Sequence, residues 1–432
     1  MSAPAPPRKS SLPSRFWLFW SCLTAGSLAD GMTLIALTWA AATVTDNAFS
    51  IALVAMAERL PWLLFALPMG ALVDRLPRVG LMAVTGAARA AAMLVLGVLL
   101  LATDVPVAVL ALFALFFGAT EVAYGVAADT AVPLLVPGQG LARANGHVRA
   151  SQILSNDFVG RPLGGLLLKS GLAVPFLGNA LLNGASAGAL LLMRRRVNDP
   201  PPPAPAGSGS VRAELGAGLH LVWRDPLLRV LAASAVVLNS FYATMLAGQV
   251  LFVRETLGLD ALGYALLLSC AALGGVAGSQ YARRLLDRWG VERSLTAALW
   301  AMALCFLGVG LIPAVPVVVG LYALASAGVA LWSVTTLTVR QLAVPDAKLG
   351  RVNATFRTVT FGMSAVGMLL GGLLVEAAAG PLGLRDALRV PYLASGAAYL
   401  LLAGFLRLRL GDGRIVTGKR GESDRQDTAG GR

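Results

Sequence analysis

The sequence predicts an all-α integral membrane protein: twelve transmembrane helices arranged as two pseudo-symmetric six-helix bundles. Three observations carry that reading. The chain has 432 residues, of which 57% are apolar and 13% charged, with a mean hydropathy of +0.73. A soluble protein of this size could not hide so much apolar surface, because much of its exterior must be polar. Next, twelve apolar stretches are long enough to cross a bilayer, which takes about 20 residues each. Last, the two halves of the sequence repeat one another. The low polarity excludes a disordered chain, and the length with three cysteines excludes a small disulfide scaffold.

The stretches fall at 16–44, 50–73, 79–102, 106–128, 147–170 and 173–193, then at 227–253, 261–282, 294–313, 315–339, 354–378 and 390–410. The first follows basic residues and so imitates a signal peptide, but its apolar run outlasts one and reads as an uncleaved helix. The organisation expected is a tail (1–15), a six-helix bundle (16–193), a linker (194–226), a second bundle (227–410) and a tail (411–432). The linker contains Asp199-Pro-Pro-Pro-Pro-Ala-Pro-Ala-Gly-Ser-Gly-Ser210, extended at its prolines and flexible after them. Cys22, Cys270 and Cys305 fall inside spans and read as small packing residues.

Net charge is +13, which alone would admit nucleic-acid binding. The positions argue otherwise. Of 35 basic residues, Lys169, Arg254, Arg385 and Arg389 fall on one side of the membrane, while Arg59, Arg89 and Arg161 lie within spans. The other 28 share the side of both tails and the linker. By the positive-inside rule that side is cytoplasmic. The basic residues are spread over loops with no nucleic-acid-binding motif, so no nucleic-acid partner is expected. The localisation expected is the bacterial cytoplasmic membrane.

The repeat is specific. Val136-Pro137, Leu141, Arg143, Asn145 and Arg149 recur 208 positions later as Val344-Pro345, Leu349, Arg351, Asn353 and Arg357. Gly160 with Gly164-Gly165 recurs as Gly367 with Gly371-Gly372, and Asp74-Arg75 as Asp287-Arg288. Six spans separate the copies, so they share one orientation, which makes the repeat parallel.

The loop after the second span reads Gly70-Ala-Leu-Val-Asp74-Arg75-Leu-Pro-Arg78. Asp74 stands just before the third helix, whose dipole favours an anion there. Gly70 permits close helix approach, and Arg75 and Arg78 stay in water. This loop resembles the Gly-x-x-x-Asp-Arg-x-x-Arg signature of the major facilitator superfamily, in which it latches the two halves together. Gly26-Ser-Leu-Ala-Asp30-Gly, Ala36-Leu-Thr-Trp39, Leu60-Pro61, Arg89, Glu121 and Leu135-Val136-Pro137 resemble the branch of enterobactin exporters and macrolide-efflux proteins. The family's antiporter motif, Gly-Pro-x-x-Gly-Gly, stands here as Gly160-Arg161-Pro162-Leu163-Gly164-Gly165, and the fourth span lacks the arginine of many drug–proton antiporters. The resemblance implies the major facilitator fold, alternating access and a small-molecule substrate.

A charge at a helix centre costs about 2.5–3.5 kcal/mol by insertion scales, so intramembrane charges are functional candidates. Those at mid-span lie in the first half: Asp30, Glu58, Arg59, Arg89, Glu121, Asp157 and Arg161. Asp157 and Arg161 are i,i+4 with the acid first, the favourable order. Arg89 and Glu121 lie at similar depth about the turn near residue 104, which makes them a pair that serves as brace or proton relay. Glu58 and Arg59 point to different faces and each needs another partner. Asp30 has no assured base at its depth, which makes it the leading proton-coupling candidate; a permanent lock to Arg59 or a kink cap at Gly31 is the competing reading.

The second half offers milder groups: Asn239, Tyr242 and Gln249 on span seven, and Trp332, Ser333 and Thr336 on span ten. The resemblance puts both helices at the substrate cavity, and these residues suit a greasy pocket with a few polar handles; plain interhelical packing is the competing reading for each. His147 and His220 are the two histidines and lie in different halves, and no metal spacing, catalytic triad or phosphate loop is present. The expectation is therefore a monomeric secondary transporter with no cofactor and no enzyme activity, exporting hydrophobic or amphipathic molecules in exchange for protons. Lipid transport, import, and a non-transporting sensor or assembly factor on the same scaffold are the alternatives.

Overall fold

The computed structural model describes residues 12–73, 76–136, 140–194, 219–344 and 346–410. Among them there is no strand. The helices are α1 (Ser14–Val44), α2 (Ala48–Val73), α3 (Arg78–Ala102), α4 (Val107–Leu135), α5 (Leu141–Ile153), α6 (Arg161–Leu168) and α7 (Val174–Arg194). After the linker come α8 (Pro226–Leu251), α9 (Ala261–Leu311), α10 (Val315–Ala343), α11 (Asp346–Leu382), α12 (Leu384–Ala387) and α13 (Val390–Leu410).

Ten of the described helical stretches are long and apolar enough to cross a membrane. One of them, α9, has 51 residues, a length of about 75 Å at 1.5 Å per residue and far beyond one hydrocarbon core. It turns at Gly290, whose φ of 76° is the left-handed conformation that glycine adopts without a Cβ clash. It therefore supplies two spans, the eighth and ninth expected. The fifth expected span is also continuous helix in outline, but a π-helical stretch (Leu154–Gly160) divides it into α5 and α6. With these two the twelve spans are accounted for.

The division of the fifth span follows from proline. Pro162 has no N–H to return to the carbonyl four residues back. The Arg161 N–H reaches five residues back to Asn156 O, which is the wider π spacing. Asn156 and Asp157 thus lie inside an irregular turn just before the proline of the motif.

Packing divides the chain into two compact units. The first holds residues 1–37, 64–105 and 116–206. Its core includes Phe16, Phe19, Met82, Ala131 and Leu190, each fully buried. Here α1 crosses the divided fifth span at glycines. A methyl group on Gly31 would strike Asn156 O, one on Gly160 would stand 2.6 Å from Leu28 O, and one on Gly164 2.8 Å from Met32 Cα. Asn179 of α7 donates to Ala29 O at 2.9 Å and to Thr33 Oγ1 at 2.6 Å, satisfying polar atoms that lipid could not.

The second unit holds residues 38–63, 106–115 and 207–432. Asp225 caps α8 by accepting from the Leu227 and Leu228 N–H groups. The crossing of α8 with α11 repeats that of α1 with the fifth span: methyl groups on Gly367 and Gly371 would strike Ser240 O and Thr244 O. The glycine repeat read in the sequence is thus a repeat of helix contacts. Residues 38–63 join this unit through several contacts. Gly372 lies against Phe49 Cα, and Gly362 against Leu63. Arg254 donates to Ala42 O and pairs with Asp46 and Glu255, while Asn47 Nδ2 donates to Glu376 Oε1 at 3.3 Å.

Candidate functional site

The charged centre of the first unit is built on α1, α3 and α4. Arg89 of α3 has 0% of its side chain exposed, and its Nη2 donates to Asp30 Oδ1 on α1. Its guanidinium carbon lies 4.4 Å from the centroid of Phe117 and 5.8 Å from that of Tyr124. Both rings belong to α4, and their faces carry the negative end of the ring quadrupole toward the cation. Arg89 Nε and Nη1 are buried with no hydrogen-bond partner. The ion pair is therefore an economical one, with one carboxylate oxygen and two ring faces around a buried cation.

Glu121 lies on the stripe of α4 that carries the two rings, four residues after Phe117 and three before Tyr124. It is half-buried and, among the described residues, has no ion pair or hydrogen bond. The Arg89–Glu121 pair read from depth is not formed; Arg89 pairs with Asp30, which fills the position expected to lack a base. Depth along a hairpin fixes level and not direction: Arg89 lays its guanidinium on the α4 rings and gives its hydrogen bond to α1. Asp157 and Arg161 form the expected i,i+4 pair at 2.6 Å. Glu58 is buried and Arg59 half-buried, on α2 in the second unit.

The second unit contains a cavity of about 200 Å³ between α8, α10 and α11. Asn239 of α8 and Trp332, Ser333 and Thr336 of α10 line it, together with Leu231, Leu238, Arg340, Phe356 and Thr360. Helical spacing on α10 explains the grouping, because Trp332, Ser333, Thr336 and Arg340 recur at intervals of three and four on one face. Tyr242 is placed elsewhere, its ring 6.4 Å from Phe306. Gln249 sits in a buried polar cluster: its Nε2 donates to Tyr322 Oη at 3.1 Å, and it accepts from Tyr264 Oη at 3.2 Å. Tyr322 and Tyr392 hydroxyls share a further bond of 2.6 Å.

Of the expected loop motif, Asp74 and Arg75 lie outside the described residues, as does the side-chain environment of Gly70. Arg78, at the start of α3, donates from Nη1 to Thr130 O at 3.2 Å. Sequence reasoning missed Arg340, which it counted with the loop bases, and the tyrosines around Gln249. The available signal for Arg340 was its i,i+4 relation to Thr336.

The sequence profile of the Major Facilitator Superfamily matches residues 19–367 and, in an overlapping second match, residues 234–427. The chain belongs to the major facilitator superfamily. The family identifies it as a multi-pass membrane transporter and not an enzyme. It is 27% identical over 376 residues to the multidrug efflux pump Tap of Mycolicibacterium fortuitum, covering 84% of this chain and 89% of that one. Among solved structures it resembles the nucleoside transporter NupG, with a TM-score of 0.72 at 12% identity, over 92% of this chain and 99% of that one. It also resembles a bacterial homologue of the human lysosomal transporter Spinster in an inward-facing, unoccupied conformation. There the TM-score is 0.69 at 16% identity, over 92% of this chain and 97% of that one. At those identities the likeness is one of fold.

Proposed function

We propose that this superfamily member is a proton-coupled exporter of amphipathic small molecules, acting as a monomer in the bacterial cytoplasmic membrane with both tails cytoplasmic. The observation that carries the reading is the buried Asp30–Arg89 pair with its spare donors. Protonating Asp30 removes the countercharge of a guanidinium that water does not reach. Arg89 keeps a neutral oxygen of Asp30 as an acceptor but loses its countercharge, which draws it toward another carboxylate, and Glu121 on α4 is one without a described partner. A proton is thereby converted into a rearrangement among α1, α3 and α4, which is what alternating access needs to be driven. Efflux as the direction, and drug-like molecules as the cargo, are supported by the similarity to the pump Tap. The cavity beside Trp332, with apolar walls and a few polar groups, suits one ring of such cargo.

The test is flux in proteoliposomes with an imposed pH gradient and a panel of amphipathic compounds. The reading expects uphill movement of at least one compound that collapses when the gradient is dissipated. Flux of the same size with and without the gradient would make the protein a facilitator, and binding without flux would make it a sensor.

A further inference from the structure

The cavity between α8, α10 and α11 contains a charge for which the coupling scheme has no use. Arg340 is half-buried on its wall. Its Nε donates to Thr336 O at 3.3 Å, and its guanidinium carbon stands 4.5 Å from the centroid of Phe356. Arg89, Arg161 and Arg254 are each paired with an acid. Arg340 is not: among the described residues no carboxylate pairs with it, and its two terminal nitrogens make no hydrogen bond. A guanidinium in that condition presents a planar fork of donors, the geometry that receives a carboxylate or phosphate through two parallel bonds.

The rest of the wall selects in the same direction. Among the described residues no acidic side chain lines the cavity. Asn239 has spent an amide hydrogen on Ala235 O, and the Thr336 hydroxyl hydrogen is directed back to the Trp332 and Ser333 carbonyls. Trp332, Leu231 and Leu238 are buried and apolar. One end of the cavity is thus a cationic fork backed by an aromatic ring, and the remainder is greasy. At about 200 Å³ it lies below the range of about 300–1,000 Å³ that holds a whole drug-sized ligand, so it accommodates one small ring system.

We propose that this cavity is an anion-selective subsite: it takes an apolar ring or chain carrying an anionic head, with Arg340 reading the charge. The inference rests on the cavity being a substrate site, and it is tested by binding, which does not depend on proton coupling or direction. The probes are 2-naphthoate, 2-naphthamide and 2-naphthylmethylamine, titrated into the purified full-length protein in neutral detergent. Naphthoate is expected to bind about tenfold more tightly than the amide, and the amine more weakly than either. Arg340→Gln should remove the preference for naphthoate while leaving amide binding in place, and Arg340→Lys should retain part of it. Ser333→Phe, which fills the cavity, should weaken naphthoate and amide alike. Equal binding of naphthoate and naphthamide by the wild type overturns the proposal without reference to any variant, as does a preference that survives in Arg340→Gln. In nanodiscs, competition by phosphatidylglycerol against naphthoate would assign the anionic head to a lipid, and its absence would assign it to a free solute. Failure of gradient-driven flux with the naphthoate preference intact would remove the coupling scheme and leave the subsite.

Discussion

Among the described residues Arg89 heads the large side chains that are completely buried, and its surroundings explain how a charge persists there. A bare arginine at a helix centre costs about 2.5–3.5 kcal/mol by insertion scales. The Asp30 carboxylate and the faces of Phe117 and Tyr124 offset that cost. Removing one partner strands the other, so Arg89→Met should lower the thermal stability of the purified protein more than Asp30→Asn, whose amide oxygen still accepts from Arg89. Combining the two should recover part of the loss, leaving a coupling of about 1–3 kcal/mol between the sites; strictly additive shifts in melting temperature would show the pair to be energetically idle. Gln249 provides the contrast. Its amide is committed to Tyr322 and Tyr264, so Gln249→Ala should reduce stability and leave substrate affinity unchanged. A selective loss of affinity with normal stability would return Gln249 to the substrate site. The intramembrane charges were legible in the sequence because each stands out against an apolar helix. The Asp157–Arg161 partnership was legible too, from its spacing on one helix; the partner of Arg89 was not, because a choice between helices depends on which way a long side chain leans.

At the scale of the element, small residues do the positioning. Gly31, Gly160 and Gly164 let α1 meet the fifth span backbone to backbone, and Gly367 and Gly371 do the same for α11 on α8. Such contacts drive helix association in lipid, where no hydrophobic effect operates between helices. Gly160→Val and Gly371→Val should each abolish recovery of folded, monodisperse protein, whereas Gly125→Ala, with open space around its Cα, should be recovered at wild-type yield and melting temperature. Size-exclusion profiles of the three variants check this. The glycine repeat could be read from the sequence as a repeat, and its meaning as a close crossing followed. The break in the fifth span could not. Its apolar pattern runs on through 154–160, and the π turn arises from the hydrogen bond that Pro162 cannot make.

At the scale of the whole molecule, charge distribution sets orientation. The proposed orientation, with both tails cytoplasmic, rests on the 28 basic residues on their side and the positive-inside rule. Ser208→Cys in the linker should therefore react with a membrane-impermeant maleimide only after intact cells are permeabilised. Labelling in intact cells would invert the topology. The number of spans was legible from hydropathy, because a run of about 20 apolar residues has few other uses. The packing of residues 38–63 with the second unit was not, since it depends on Asp46, Asn47 and Phe49 finding partners more than 200 positions away.

The central claim is that protonation of Asp30 links the proton gradient to transport. Its most direct test compares two modes of flux for wild type and Asp30→Asn in proteoliposomes: accumulation driven by a pH gradient, and substrate exchange at equal pH on both sides. The account predicts that Asp30→Asn loses gradient-driven accumulation and keeps exchange. Accumulation by Asp30→Asn with the gradient dependence of the wild type would contradict it.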